Sequence, residues 1–201
     1  MKNRSSCSAV LLAIASAVVL ASTGTASATT LTSPSGTAYT GTIKSTAGTT
    51  ELHGEAFSVS CATSTVEGKV ETHGASVTVG GNIDSLVFAS CNFPVTVLKA
   101  GSLEMHEKQG GGNLDGTLTS TGAEITIHGP FGINCLYKTN ATDIGTLTGS
   151  GTTKATAKLD IDSSLIPRTG DSAFCGANGE WTGSYTVNTP DYLDVEGSTW
   201  Q

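Results

Sequence analysis

The residues that could carry out catalysis are few and dispersed along the 201-residue chain. A serine-hydrolase triad needs a histidine beside a buried carboxylate, and the nucleophile of many hydrolases lies in a Gly-x-Ser-x-Gly elbow. No such elbow occurs in the sequence, although serine and threonine are abundant. Each histidine falls in or beside a polar strand face or a turn: His53, His73, His106 and His128. The sequence therefore predicts no catalytic residues and a protein that is not an enzyme.

Acidic pairs and glycine runs do not complete a metal or phosphate site either. Asp160 and Asp162 fall on one face of a predicted strand, but the Asp-x-Asp-x-Asp-Gly pattern of calcium loops is absent. The His106-Glu107 pair lacks the second histidine of a zinc-protease motif. The three glycines at 110–112 lack the Lys-Ser pair that follows a phosphate-binding loop. We predict no metal, no cofactor and a flexible turn at the glycines.

The N-terminus has the pattern of a secretory signal peptide. Lys2 and Arg4 precede an apolar run at 9–21, and Ala26-Ser27-Ala28 offers small residues at a cleavage site. The run of 13 residues is shorter than the roughly 20 apolar residues that a spanning helix needs. We predict a signal peptide at 1–28 and a secreted mature chain at 29–201, with no transmembrane anchor.

Cleavage would remove Cys7 and leave an even number of cysteines in an exported chain, which is typical of a disulfide framework. Four cysteines allow three pairings, and sequence alone does not choose among them. Segments close in the chain tend to be neighbours in space, which favours two local pairs. The favoured pairs are Cys61 with Cys91 and Cys135 with Cys175.

The charge balance excludes one class of partner. The whole chain carries a net charge of −7, and removing Lys2 and Arg4 leaves 8 basic against 17 acidic residues, or −9. An acidic surface repels the phosphate backbone of nucleic acids. We predict no nucleic acid partner, and an extracellular or envelope partner that the sequence does not identify.

The elements that must position any site are β-strands. β-Branched residues alternate with small polar ones through most of the mature chain, and no long stretch has helical periodicity. In 63–73, Val66, Gly68 and Val70 fall on one face and the charged residues on the other, whereas 83–91 carries apolar residues on both faces. About a dozen short strands predict an all-β fold, an antiparallel sandwich or barrel-like domain with two disulfides. One domain at 29–201 is favoured, and two subdomains divided near 109–112 are the alternative.

Three segments resemble stretches of small secreted actinobacterial proteins of unknown function. They are Val-Thr-Val-Leu-Lys-Ala-Gly-Ser-Leu-Glu at 95–104, Asp-Ile-Gly-Thr-Leu-Thr-Gly at 143–149 and Glu-Trp-Thr-Gly-Ser-Tyr-Thr-Val at 180–187. The resemblance implies secretion and no particular activity. A looser likeness, of class and without a shared motif, is to the apoproteins that carry enediynes, which are acidic, secreted β-sandwiches with two disulfides.

These observations favour a secreted, non-catalytic protein that acts at or outside the cell envelope as a binding or structural module. Exposed edge strands are a ready means of self-association or partner binding. Two alternatives stay open. An extracellular, carbohydrate-directed hydrolase predicts a cleft with Trp181 beside two carboxylates, and a small-ligand carrier predicts a large apolar cavity.

Overall fold

The chain is almost entirely β-structure, as the alternating pattern predicts. The computed structural model describes residues 28–33, 35–55, 57–71, 78–107, 115–151, 153–169 and 173–198. His73, the glycines at 110–112 and the predicted signal peptide, apart from Ala28, lie outside these residues. No helix in the described part is long and apolar enough to cross a membrane. Thirteen strands are described: β1 (Ala28–Thr32), β2 (Thr42–His53), β3 (Ser58–Lys69), β4 (Thr78–Cys91), β5 (Val95–Lys99), β6 (Ser102–Glu107), β7 (Gly116–Thr121), β8 (Glu124–His128), β9 (Asn134–Lys138), β10 (Thr142–Thr148), β11 (Lys158–Pro167), β12 (Asn178–Thr189) and β13 (Asp194–Ser198).

Eight of these strands close into an antiparallel barrel. Their order around the barrel is β10-β11-β12-β2-β3-β4-β6-β7, and β7 pairs with β10 to complete the ring. β6 and β7, which flank residues 109–112, are direct neighbours in this barrel. Of the two architectures that the strand pattern allows, the structure therefore has the barrel. Closure gives every barrel strand a partner on both sides over part of its length and so removes much of its free edge.

Bulges keep one face of each strand directed inward where the strand bends. Gly183 of β12 pairs with Thr50 and Tyr185 pairs with Ala47, so β2 carries one extra residue at this point. The sequence pattern predicts two strands, at 37–44 and 49–53, separated by small residues at 45–48. In the structure β2 is continuous from Thr42 to His53, residues 37–41 precede it, and the bulge lies between Ala47 and Thr50, at the start of the second predicted segment.

The apolar residues on both faces of 83–91 predict a strand that is covered on two sides or that lies at a sheet junction, and a second bulge gives another reason for this pattern. The pairing of β3 with β4 shifts by one residue between Glu67 and Gly68, so Ile83 and Leu86 both line the interior. Val87 remains 46% exposed on the outside of the barrel. The alternation in the sequence is broken by an inserted residue and not by a second covering layer.

Two small sheets lie at opposite ends of the barrel. β1 pairs with β13 at one end, where Leu31 and the nearby Leu193 are buried against the first half of β2 and the last half of β12. β5, β8 and β9 form a three-stranded sheet at the other end, where Val95 and Ile127 cover the remaining halves of β2 and β12. β5 is an edge strand, as its preceding proline predicts.

The barrel interior is apolar and well filled. Trp181, Tyr185 and Val187 alternate along β12 and lie in the barrel interior, and Trp181 makes edge-to-face contacts with Phe88 and Tyr185. The hydroxyl of Tyr185 is hydrogen-bonded to the hydroxyl of buried Ser64 at 2.9 Å. A buried phenol needs such a partner, because an unpaired hydroxyl in an apolar core is destabilising.

Candidate functional site

Of the three histidines that the structure describes, His53 has the geometry that most resembles a catalytic group. It lies directly opposite Ser58 across the β2–β3 hairpin, and its Nδ1 is 2.9 Å from the Ser58 hydroxyl. Its Nε2 is 3.1 Å from a carboxylate oxygen of Glu51, two residues earlier on the same strand. A serine, a histidine and a carboxylate are therefore connected in series. The pairing of β2 with β3 is the signal that could have found this cluster from sequence.

This cluster lacks the surroundings that make such a series catalytic. The side chains of His53 and Glu51 are 43% and 46% exposed on an open strand face. A catalytic triad uses a buried carboxylate to hold the imidazole and backbone donors to stabilise an oxyanion. His128 makes a similar chain across its sheet, with Asn134 on one side and Thr96 on the other. Both histidines are parts of polar ladders that join neighbouring strands.

The other candidate residues are dispersed over the barrel. Asp162 is exposed, and Asp160 accepts a hydrogen bond from Ser184 on the neighbouring strand. Trp181 lies in the barrel interior and not in a cleft with paired carboxylates, the arrangement that a carbohydrate-directed hydrolase would require. His106 lies on the polar face of β6 opposite Thr117. Among the described residues, no three histidine, cysteine, aspartate or glutamate side chains are placed to hold a metal ion.

The cavities inside the barrel are small. An apolar cavity under the β1–β13 sheet has a volume of about 70 Å³ and is lined by side chains such as Val79, Leu118 and Leu147. Two smaller apolar cavities further along the barrel measure about 30 and 20 Å³. Pockets for drug-sized ligands measure roughly 300–1,000 Å³. The interior of this barrel is a packed core.

Both predicted disulfides are present. Cys61 and Cys91 join directly paired residues of β3 and β4. Cys135 of β9 bonds to Cys175, and so ties the three-stranded sheet to the segment that leads into β12. The buried hydroxyl of Tyr137 donates to the carbonyl oxygen of Cys175 at 2.9 Å, which reinforces the same connection. The second disulfide therefore fixes one end of the barrel.

That end carries two phenylalanine side chains in water. Phe131 is fully exposed in the turn Pro130–Gly132, and Phe174 is 65% exposed in the turn Ala173–Cys175. We call these two turns, which flank the Cys135–Cys175 disulfide, the aromatic end. Phe131 and Phe174 are two of the four large apolar side chains that are exposed among the described residues. The other two lie elsewhere, Val87 on the barrel wall and Leu98 on β5 beside the start of β8. Exposed apolar groups gathered in one region mark interaction sites.

Phe131 also has an unfavourable backbone conformation. Its φ of 57° and ψ of 24° lie in the left-handed region, which bulky residues rarely adopt. The turn is nevertheless well anchored. Gly129 donates to the carbonyl oxygen of Ile133 at 2.7 Å, and the ring of Phe57 packs so closely on Gly129 that a Cβ there would lie 2.6 Å from it. Strain that persists on a rigid base is a feature of functional sites.

An ionic ladder joins the strands of the three-stranded sheet at its end away from the Pro130–Gly132 turn. Glu124 of β8 lies between Lys99 of β5 and Lys138 of β9, with nitrogen–oxygen distances of 3.0 and 2.9 Å. The hydrogen bond from Lys138, followed by the one from Lys99, lowers the pKa of Glu124 below its ordinary value. The two ion pairs join all three strands through the Glu124 carboxylate, whose side chain is 15% exposed.

The aromatic end was not predicted from the sequence, although a signal for it exists. Phe131 stands between Pro130 and Gly132, and a large apolar residue inside such a turn has no strand face to bury it. Phe174 directly precedes a disulfide cysteine, and the sequence pattern points to the cysteine alone.

The chain matches no protein-family model, and no curated protein or solved structure is significantly similar to it.

Proposed function

We propose that this chain is an exported, non-catalytic binding module that holds an extracellular or envelope partner with its aromatic end. The observation that carries this proposal is Phe131, a fully exposed aromatic side chain in a left-handed backbone conformation. Aromatic side chains supply much of the binding energy at protein interfaces because they bury a large area with few rotatable bonds. Phe174 extends the same surface on the other side of the disulfide.

Export is supported by the cysteines and by the first residues of the chain. Two disulfides form and persist in oxidising compartments, and the signal-peptide pattern at 1–28 directs a chain there. A rigid, disulfide-bonded barrel suits a binding module, because an anchor that is already held in position loses little conformational entropy on binding.

A non-catalytic role is supported by how the polar residues are arranged. The Ser58–His53–Glu51 series lies on an open strand face, and the apolar cavities of the interior are too small for a drug-sized substrate. Self-association through the free edges of the two small sheets belongs to the same proposal, since each outer strand of those sheets is paired on one side only.

Co-sedimentation with washed cell-envelope fractions tests this proposal. The purified mature chain should sediment with the envelope, and the double variant Phe131→Ala/Phe174→Ala should bind at least tenfold more weakly. Val87→Ala is the matched control, because Val87 is an exposed apolar residue on the barrel wall. Equal binding by the double variant and the parent chain would show that the aromatic end is not the binding surface.

A further inference from the structure

The opposite end of the barrel carries a polar cleft on its outer surface. The cleft has a volume of about 350 Å³ and lies between loop residues 154–156 and the last residues of β12, over buried Val187. We propose that this cleft is a binding site for a neutral saccharide. The side chains that would contact the sugar are Lys154, Thr156, Thr186, Asn188, Asp191 and Tyr192.

Hydrogen bonds at the base of the cleft fix its two walls relative to each other. The backbone N–H of Ser150 donates to the carbonyl oxygen of Leu193 at 3.0 Å, and the N–H of Leu193 donates to the Ser150 hydroxyl at 2.9 Å. Ser150 is 3% exposed, so these bonds are shielded from water. The N–H of Val187 donates to the carbonyl oxygen of Ala157 at 2.9 Å. The cleft is therefore formed in advance of binding, which reduces the entropy lost when a ligand is held.

The charge of the cleft favours a neutral ligand. Lys154 and Asp191 are the charged side chains that line it, and they have opposite signs. An anionic ligand would be attracted by the Lys154 ammonium group and repelled by the Asp191 carboxylate. A hydroxyl of a neutral ligand can accept a hydrogen bond from the ammonium group, and another can donate one to the carboxylate. Both charged groups can therefore form useful hydrogen bonds with a neutral sugar.

The remaining side chains supply what a sugar ring requires. The hydroxyls of Thr156 and Thr186 can both donate and accept, as sugar hydroxyls do. The Oδ1 of Asn188 accepts a hydrogen bond from Thr46 at 2.8 Å, which orients the amide and leaves its N–H groups for a ligand. Tyr192 contributes an aromatic ring, on which the apolar C–H face of a sugar packs. The volume falls within the range of small-molecule sites, roughly 300–1,000 Å³, and suits a mono- or disaccharide.

This cleft is separate from the aromatic end. β12 begins at Asn178, three residues after the second disulfide, and its last residues line the cleft. With a rise of about 3.3 Å per residue, the ten steps from Asn178 to Asn188 correspond to roughly 33 Å. The two sites can therefore be altered independently.

Titration of the labelled mature chain with neutral sugars, followed by backbone NMR shifts, tests the saccharide site. The panel is glucose, galactose, mannose, N-acetylglucosamine, maltose and trehalose. At least one sugar should give saturable shifts at 154–156 and 186–192, and Tyr192→Ala and Asn188→Ala should each weaken its binding at least fivefold. Asn140→Ala, a change at an exposed asparagine outside the cleft, should bind like the parent chain.

Three further results distinguish a neutral-sugar site from an anion site and from binding at the aromatic end. Glucose 6-phosphate should bind no more tightly than glucose, and stronger binding of the phosphate would overturn the assignment to a neutral ligand. Phe131→Ala/Phe174→Ala should bind the sugar normally, because the aromatic end is remote. The absence of saturable shifts at the cleft with every sugar in the panel would overturn the proposal.

Discussion

Replacing Phe131 by glycine should stabilise the protein, although it removes a large apolar side chain. The side chain is fully exposed, so its loss returns no buried apolar surface to water. Left-handed backbone is unfavourable by roughly 1–2 kcal/mol for an L-residue, whereas glycine adopts it freely. Glycine also gains conformational entropy in the unfolded chain, which offsets about 0.5–1 kcal/mol of that benefit. The free energy of unfolding should therefore rise by about 0.5–1 kcal/mol.

Urea unfolding of the oxidised protein, followed by the fluorescence of Trp181 in the barrel, measures this difference. Val87→Gly is the matched control. Val87 is also exposed, but it lies in a strand, where glycine should lower the free energy of unfolding by about 1 kcal/mol. If Phe131→Gly instead lowers the free energy of unfolding by more than about 1 kcal/mol, the Phe131 ring packs on the protein and its removal costs buried apolar surface. That result would contradict a fully exposed side chain on a strained backbone. A gain in stability together with weaker envelope binding would show that the strain is retained for function.

Three further predictions, made on four variants, test the fold that supports the two sites. Removing the second disulfide with Cys135→Ala/Cys175→Ala should lower the free energy of unfolding by about 4 kcal/mol, from the loop-entropy relation for a separation of 40 residues; urea unfolding of the variant and the parent chain gives the difference. Burial raises the pKa of Tyr185 to about 12, above its ordinary value of 10.0, and the hydrogen bond between the Tyr185 and Ser64 hydroxyls opposes this only in part. Because the folded pKa is the higher one, the stabilisation is complete below about pH 10 and is lost as the pH rises toward about 12, by roughly 3 kcal/mol; Tyr185→Phe should lose roughly 3 kcal/mol less than the parent chain over this range, while the loss due to Tyr137 and Tyr39, whose pKa burial also raises, should remain. Gly81→Ala should destabilise the barrel by about 1–3 kcal/mol, because its Cβ would overlap the backbone of the adjacent strand β3, whereas Gly48→Ala, with open space around it, should melt within a few degrees of the parent chain.

The inward faces of the strands could be predicted because they follow the period of a pleated strand. Trp181, Tyr185 and Val187 are separated by even numbers of residues, and all three lie in the interior. The two disulfides followed from chain proximity, since Cys61 and Cys91 are on consecutive strands of the barrel. These inferences need only local geometry and the tendency of consecutive elements to be neighbours.

Bulges and barrel closure could not be predicted in the same way. Ile83 and Leu86 are separated by an odd number of residues, and only the inserted residue in β4 allows both to face inward. The pairing of β7 with β10 that completes the ring depends on the curvature that such bulges add up to. The local sequence pattern of one strand contains no information on the total curvature of the sheet.

The candidate sites were predictable only in part. The exposure of Phe131 depends on how the turn is placed at the end of the sheet. Its left-handed backbone depends on the contacts that hold the turn in place. Lys154 and Tyr192 line the same polar cleft although they are about 40 residues apart in the chain. Hydrogen bonds between Ser150 and Leu193 hold their two segments together. Neither feature is determined by residues that are adjacent in sequence.

The most direct test of the account is a footprint of the aromatic end in the bound state. Carbene or hydroxyl-radical labelling of the mature chain, with and without washed envelope, reports the exposure of single side chains without any substitution. We predict that labelling of Phe131 and Phe174 falls at least threefold on binding, while labelling of exposed Val87 stays unchanged. Unchanged labelling of both phenylalanines, in a sample in which the chain has sedimented with the envelope, would contradict the account.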